Sequence, residues 1–180
     1  MIRHFRFEQE IYDTLELVPM AVRRKLDKIG IKLGLEQWQA LGRGERLAIC
    51  HLPTNLDEES EALRVFVQEA VKRATGAEAK TLPETERAIA DPPDSPPAGL
   101  SERAQAAGFA LDQDSWSKLD ADARYALIKM GMGKAVSHNF PSALQEFLIP
   151  PSGSSQDGAD ASATAPTPAA QPPKPRKRSS

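Results

Sequence analysis

Hydrophobic residues recur at helical spacing along most of the first 149 residues. Val18, Val22, Leu26 and Ile29 lie three or four positions apart, and a longer series with the same spacing begins at Leu63. This spacing places apolar side chains on one face of a helix, whereas a half-buried strand requires strict alternation. No segment alternates convincingly, and the pattern therefore predicts an all-α fold.

Two stretches of the chain match each other at a constant offset of 78 residues. Residues 19–52 (copy one) align with residues 97–130 (copy two) without a gap. Self-similarity at a fixed offset indicates an internal duplication of one structural unit. Each copy is predicted to form three helices, and the first helix is expected to end at Gly30 or Gly108, because glycine adopts the left-handed conformation of a helix C-terminus.

Both tryptophans, Trp38 and Trp116, fall on the same position of the aligned copies. Stacking on an aromatic ligand is one interpretation, but a repeated position in the core is the one we favour. In copy two, Asp112 and Asp120 precede the second and third predicted helices and are expected to cap them. Copy one has glycines at these two positions.

Composition divides the chain into a folded part and a tail. Residues 150–180 contain seven of the fifteen prolines and, among hydrophobic residue types, only alanine. Such a segment cannot bury enough apolar area to offset the entropy of ordering it. We therefore expect a single domain over residues 1–149 and a disordered tail over residues 150–180. The prolines of residues 76–97 predict a linker or a long surface loop between the two copies.

The sequence also limits where the protein acts. No run of 18 or more apolar residues occurs, which excludes a transmembrane helix. Charged residues interrupt the first ten positions, so no signal peptide is expected. Cys50 is the only cysteine and has no partner for an intramolecular disulfide, which favours a reducing compartment. We expect a soluble, cytoplasmic protein.

Residues that could support catalysis or bind a metal are few. His4, His51 and His138 do not stand at metal-ligand spacing. Cys50 and His51 are adjacent, so on a helix their side chains diverge by about 100°. We interpret Cys50 as a small buried side chain beside a partly exposed imidazole. The sequence therefore predicts no catalytic residue, no metal and no cofactor, and the protein is not expected to be an enzyme.

The two copies differ in charge. Residues 19–52 contain seven basic and three acidic residues, whereas residues 97–130 contain four and five. If both copies meet the demands of one fold, the extra cations indicate a partner-binding face. Its candidate residues are Arg23, Arg24, Lys25, Lys28 and Lys32. The alternative is a solvated surface that an i,i+4 pair between Arg23 and Asp27 partly neutralises.

A helix, a glycine-containing turn and a short helix are also the outline of a helix-turn-helix motif. However, the second predicted helix contains no basic residue and has Glu36 near its start, where DNA phosphates would repel it. The basic run Lys174–Arg178 adds weak attraction to any polyanion. Nucleic-acid binding is therefore the less favoured alternative.

Several runs of residues share a pattern with one known family. They are Phe5–Glu8, Leu17–Asp27, Gly30–Leu33, Trp38, Ala126–Lys129, Asn139–Phe140 and Leu144–Phe147. Over residues 5–149 the chain resembles the nitrate reductase-associated protein family. The family-motif residues are Pro19, Met20, Val22, Arg23, Lys25, Leu26, Asp27, Gly30 and Trp38. Four of them are expected in the scaffold (Val22, Leu26, Gly30 and Trp38), and Arg23, Lys25 and Asp27 are expected at the surface.

This resemblance implies a small cytoplasmic accessory protein that accompanies assimilatory nitrate reductase and molybdenum-cofactor functions in bacteria. It also implies that the protein is not a catalytic subunit, and it supplies no catalytic residues. Our hypothesis is a non-catalytic accessory or maturation factor that binds assimilatory nitrate reductase and supports its assembly or activity. The alternatives are a nucleic-acid-binding regulator of nitrate assimilation genes, and a molybdenum-cofactor carrier whose basic face holds the cofactor's phosphates.

Overall fold

The computed structural model describes residues 2–149, and the tail predicted over residues 150–180 lies outside the described residues. Helices dominate, which confirms the all-α fold class. They are α1 (Gln9–Thr14), α2 (Met20–Lys28), α3 (Leu35–Ala40), α4 (Arg43–His51), α5 (Asp57–Thr75), α6 (Glu84–Arg87), α7 (Leu100–Ala106), α8 (Gln113–Ser117), α9 (Ala121–Gly131) and α10 (Phe140–Leu148). Short 3-10 turns lie at Arg6–Glu8 and Ala88–Ala90. None of the helices in residues 2–149 has the length and apolar character needed to cross a membrane.

Two short strands, which the sequence pattern did not predict, join distant parts of the chain. Strand β1 (Ile31–Lys32) pairs with β2 (Lys80–Thr81) in antiparallel register, with Ile31 opposite Thr81. Two residues are too few to show alternation, which is the signal that a strand leaves in a sequence. The pair fixes β2 beside the end of α2.

The helices expected from the repeat are present in both copies. Helices α2, α3 and α4 correspond in order to α7, α8 and α9. Gly30 and Gly108 follow the first helix of each set with φ angles of 73° and 87°, which confirms the expected glycine stops. Asp112 and Asp120 accept hydrogen bonds from the amides of Ser115 and Ala123, as N-caps do. The duplication itself stays a prediction.

The two tryptophans are buried to the same extent and make matching hydrogen bonds. Both side chains are completely buried, which confirms that they are core residues. The indole Nε1 of Trp38 donates to the carbonyl of Leu15 at 2.8 Å, and that of Trp116 donates to the carbonyl of Pro93 at 2.9 Å. Each ring thus fills its half of the core and also fixes a segment 23 residues earlier in the chain.

The apolar core has two parts, and helix α9 is buried among other helices. One part surrounds Trp38 and involves α2 to α5, and the other surrounds Trp116 and involves α7, α9, α10 and Phe5. Helix α9 packs against α2, α7 and α10, and all four residues of Tyr125–Ile128 are buried. Its counterpart α4 lies at the periphery, where Leu47 is 39% exposed. The two copies therefore meet different surroundings.

Residues 76–97, which the prolines marked as a linker or a surface loop, contain β2, α6 and a 3-10 turn. Ala79, Leu82 and Ala90 are buried, and the 3-10 turn packs against α2. The prolines interrupt regular structure in this segment, but its apolar residues still contribute to the core.

Helix α2 begins at a cap supplied from another part of the chain. Pro19 at the N-cap position has no side chain that could accept a hydrogen bond from the free amides. Both carboxylate oxygens of the buried Glu8 accept from the amide of Met20 at 3.1 Å, and Tyr12 Oη donates to Glu8 at 2.6 Å. Burial raises the pKa of Glu8 above its ordinary value of 4.5, although these hydrogen bonds oppose the rise.

A first prediction concerns Gly131, at the end of α9. A Cβ atom at this position would lie 2.5 Å from Leu100 Cδ1 and 2.8 Å from Phe140 Cε2. Gly131→Ala should therefore lower the free energy of unfolding by about 1–3 kcal/mol, as overpacking does. The matched control is Gly44→Ala in α4, where nothing lies within 4 Å, and it should raise that free energy by about 0.5–1 kcal/mol. Urea denaturation measures the free energy of unfolding of both variants. Equal changes in Gly131→Ala and Gly44→Ala would contradict the close packing at the end of α9.

A second prediction concerns the buried carboxyl of Glu8. Because its pKa is raised in the folded protein, the native state holds this proton more tightly than the unfolded chain does. The stability that the protonated form contributes is fully present below pH 4.5 and is lost as the pH rises through the native pKa. The free energy of unfolding of Glu8→Gln, minus that of the wild type, should therefore increase as the pH rises above 4.5.

The control is Glu45→Gln, which should show the opposite sign. Arg73 and the amide of Gly42 lower the pKa of Glu45, so the ionised form stabilises the native state. Here the difference between variant and wild type should become more negative as the pH rises toward 4.5 and then stay constant. Urea denaturation across this pH range measures both variants. If the free energies of unfolding of Glu8→Gln and the wild type changed in parallel with pH, the burial of an ionisable Glu8 would be refuted.

Candidate functional site

The cations of the predicted basic face have different roles in the structure. Arg24 is turned toward α9 and the 3-10 turn beside it. Its Nε donates to the carbonyl of Ala90 at 2.7 Å, and its Nη1 lies 3.1 Å from Asp122 Oδ1. Asp91 lies 3.8 Å from the same guanidinium. Arg24 therefore joins α2 to α9, and its side chain is only 23% exposed.

Lys25 and Lys28 bind the end of α4 and the segment that follows. Lys25 Nζ donates to the carbonyls of Ile49 at 2.9 Å and Cys50 at 3.0 Å, and also contacts that of Leu52. Lys28 Nζ donates to the carbonyl of Thr54 at 2.6 Å. An ammonium group at a helix C-terminus satisfies carbonyls that have no partner in the helix. Burial lowers the pKa of Lys25, and nearby Asp122 opposes this.

Arg23 and Lys32, the other two predicted cations, line one cleft. This cleft has a volume of about 380 Å³ and lies between α2, α9 and strand β1, with α6 at its edge. Apolar side chains from α2, from β1 and from the residue after β2 form part of its wall. Its ionisable and hydroxyl-bearing residues are Arg23, Asp27, Lys32, Glu86, Tyr125 and Lys129.

A hydrogen-bonded network forms the polar part of this cleft. Tyr125 Oη donates to Asp27 Oδ2 at 2.7 Å, and Lys129 Nζ lies 2.7 Å from the same oxygen. The ammonium of Lys129 also lies 5.6 Å from the centre of the Tyr125 ring. Burial, and then the charge of Asp27, raise the pKa of Tyr125, so its hydroxyl stays protonated and keeps donating. The network links α2 to α9 across the cleft.

The position of Asp27 corrects two expectations from the sequence. Asp27 was predicted at the surface, but it is 8% exposed. It was also a candidate i,i+4 partner of Arg23, yet its ion pair within residues 2–149 is with Lys129. A buried carboxylate is tolerated when donors satisfy it, and α9 supplies two of them. Arg23 instead donates from Nε to the carbonyl of Val18 at 3.3 Å.

The remaining family-motif residues hold α2 in place. Val22, Leu26 and Trp38 are buried, and Gly30 adopts a positive φ, as expected for scaffold positions. Pro19 precedes α2, and Met20 receives the Glu8 cap and also lines the cleft. Met20, Arg23, Leu26 and Asp27 lie along the cleft, so the motif contributes much of its α2 wall.

Cys50 and His51 lie near a second, more polar cleft of about 200 Å³. Cys50 is buried, as predicted, and burial raises the pKa of its thiol to about 11. The thiol is therefore protonated at neutral pH and is a poor nucleophile. In the part of the chain from residue 2 to residue 149, no three His, Cys, Asp or Glu side chains come together as a metal site.

Tyr125 and Lys129 were missed as site residues from the sequence. Both lie in α9, where most neighbouring residues are apolar, and they are spaced i,i+4 on one face. In the aligned register Tyr125 matches the exposed Leu47. The sequence did contain a signal for this site. It was a hydroxyl and an ammonium on one face of a mostly apolar helix, together with the single acidic residue of the basic helix α2.

Asp27→Asn should lower the free energy of unfolding by about 1.5–3 kcal/mol, because a charged hydrogen-bond acceptor of Lys129 is lost. Combining it with Tyr125→Phe in a double-mutant cycle should show coupling of at least about 0.5 kcal/mol. The control is Asp114→Asn, an exposed carboxylate without an ion pair within residues 2–149, whose effect should stay below about 0.5 kcal/mol. Additive effects of the two cleft variants would exclude the network.

Comparison with known proteins identifies a family that this chain matches. Residues 4–147 match the family described as conserved nitrate reductase-associated protein, and this range includes every element that forms the cleft. No curated protein and no solved structure matches the chain. The family match covers most of the chain and confirms the resemblance of its sequence motifs. The chain therefore belongs to the nitrate reductase-associated protein family.

Proposed function

We propose that this protein is a cytoplasmic, non-catalytic accessory factor that binds assimilatory nitrate reductase and supports its assembly or activity. The observation that carries the proposal is membership of a family whose description associates it with nitrate reductase. The cleft between α2 and α9 is the proposed contact site, because family-motif residues form much of one wall.

Helix α2 presents this site on a rigid frame. Glu8 binds its first amide at 3.1 Å, and Arg87 Nε donates to the carbonyl of Lys28 at its other end at 2.9 Å. Along its length, Arg24 and Asp27 bind α9. A surface that is already ordered loses less conformational entropy when it binds a partner, which supports recognition by shape and charge rather than by bond-making chemistry.

The cations available to a partner are fewer than the sequence predicted. Arg24, Lys25 and Lys28 bind carbonyls or carboxylates of this chain. Lys32 is 59% exposed and lies 3.7 Å from Glu86, a weak surface pair. We therefore narrow the proposed docking residues to Arg23 and Lys32. Because Arg24, Lys25 and Lys28 already bind groups of this chain, nucleic-acid binding is disfavoured, since it needs several cations that are free to contact phosphates.

The test uses the full-length protein, tagged and captured from nitrate-grown cells that contain active reductase. Wild-type protein should retain the reductase polypeptide, and Arg23→Glu with Lys32→Glu should reduce its recovery about tenfold or more, equivalent to about 1.4 kcal/mol of binding. The charge-matched control is Lys118→Glu with Lys134→Glu, two exposed lysines outside the cleft. Circular dichroism should show unchanged helicity for both variants.

Other outcomes would contradict the proposal. Absence of the reductase at every salt concentration would refute direct binding. Recovery of DNA that the protein binds in preference to random-sequence DNA would favour the nucleic-acid-binding regulator. A pterin fluorescence signature in the captured protein would favour the molybdenum-cofactor carrier. Equal recovery with both double variants would remove Arg23 and Lys32 from the contact site while leaving the partner in place.

A further inference from the structure

We propose that the cleft between α2 and α9 is a binding pocket for a small amphipathic monocarboxylate. In this assignment the carboxylate pairs with the guanidinium of Arg23, and the aliphatic part of the ligand lies against the apolar wall. The inference goes beyond the proposed function, because it concerns a small molecule and does not require contact with nitrate reductase.

The size and lining of the cleft suit such a ligand. Its volume of about 380 Å³ lies at the small end of the range for small-molecule pockets. Its apolar wall comes from three places in the chain: Leu26 in α2, Ile31 in β1 and Leu82 directly after β2. These three side chains are themselves at least nine-tenths buried, so the wall belongs to the packed core and does not need to form on binding.

The charges that line the cleft leave one cation uncompensated. Asp27 is neutralised by Lys129 at 2.7 Å, and Glu86 lies 3.7 Å from Lys32. Arg23 has no ion pair within residues 2–149, and its Nε contact with the Val18 carbonyl leaves the two terminal nitrogens without a protein acceptor among those residues. A guanidinium offers two parallel N–H groups that match a carboxylate, so a ligand with one negative charge can pair with Arg23.

The arrangement of the two helices explains why Arg23 has no carboxylate partner in the part of the chain that the structure describes. Arg23 and Asp27 are spaced i,i+4 on α2, where they could pair with each other. Tyr125 and Lys129, also spaced i,i+4, approach from α9 and both bind Asp27 Oδ2. Asp27 is therefore engaged across the cleft, and Arg23 remains at its mouth. An anion held by Arg23 would lie in the same cleft as the ammonium of Lys129. Within residues 2–149 that ammonium forms one ion pair, with Asp27.

The same features disfavour other ligands. A phosphate dianion would leave one charge unmatched, and a cation would be repelled by the guanidinium of Arg23. A purely apolar molecule would leave the Arg23 guanidinium, which is exposed at the mouth of the cleft, without the ion pair that a carboxylate provides. One carboxylate beside a short aliphatic group satisfies both the charge and the wall.

The test titrates sodium hexanoate into the full-length, ¹⁵N-labelled protein and follows the amide resonances. Saturable shifts should concentrate at Leu26, Asp27, Ile31 and Lys129. Hexan-1-ol, which has the same chain without the charge, should bind about tenfold or more weakly. Arg23→Gln should weaken hexanoate by about tenfold or more while leaving the affinity for hexan-1-ol unchanged. The matched control is Arg64→Gln, an exposed arginine on α5 that pairs with Glu61 outside the cleft.

Several results would overturn the assignment. They are the absence of saturable shifts, shifts that map away from the cleft, equal affinity for hexanoate and hexan-1-ol, and unchanged hexanoate affinity in Arg23→Gln. Binding of an acetylated peptide with a single glutamate, without binding of hexanoate, would also overturn it, because the cleft would then be a peptide-docking site. Because the purified protein is used alone, failure here leaves the capture of the reductase unaffected.

Discussion

The carboxylate of Asp27 binds two side chains of α9 and thereby fixes how α2 lies against that helix. Removing Lys129 would leave the carboxylate of Asp27 buried without its counter-charge at the contact between α2 and α9, which is far costlier than losing a surface pair. Arg24 adds a second link to α9 through Asp122, one turn away from the Tyr125 contact. The core around Trp38 and the core around Trp116 are therefore held in one fixed arrangement. The cleft at this contact, with the Arg23 guanidinium that has no ion pair within residues 2–149, is a consequence of that arrangement.

The charge difference between the two copies has a structural explanation that the sequence argument lacked. Several cations of copy one donate to carbonyls at helix ends: Lys25 binds the end of α4, and Arg43 and Arg46 bind the carbonyls of Asp13, Thr14 and Leu15 that close α1. Such contacts satisfy carbonyls that a helix leaves free and oppose its dipole. The premise that one shared fold demands equal charge is therefore wrong for this chain. Copy one is packed against the N-terminal segment and α5, whereas α9 of copy two lies in the interior.

Local patterns were predictable and long-range contacts were not. Helical spacing, the glycine stops and the aspartate caps depend on residues within a few positions of each other, and the structure agrees with them. The Glu8 cap on α2 and the contacts of Glu146 with the amides of Arg6 and Phe7 join residues 12 and about 140 positions apart, and no local signal marks them. The cleft belongs to this second class. Arg23 and Asp27 were candidates from the sequence, but the partners that make them a site, Tyr125 and Lys129, lie on a helix about 100 residues away.

The central claim is that α2 and α9 form one cooperative unit joined through Asp27. Native-state hydrogen exchange tests it most directly, because it reports the free energy at which each helix opens. The account predicts that amides of α2 and α9 share one opening free energy, equal to that of global unfolding, with the same dependence on denaturant. An opening of α2 at lower free energy, while α9 remains protected, would contradict it.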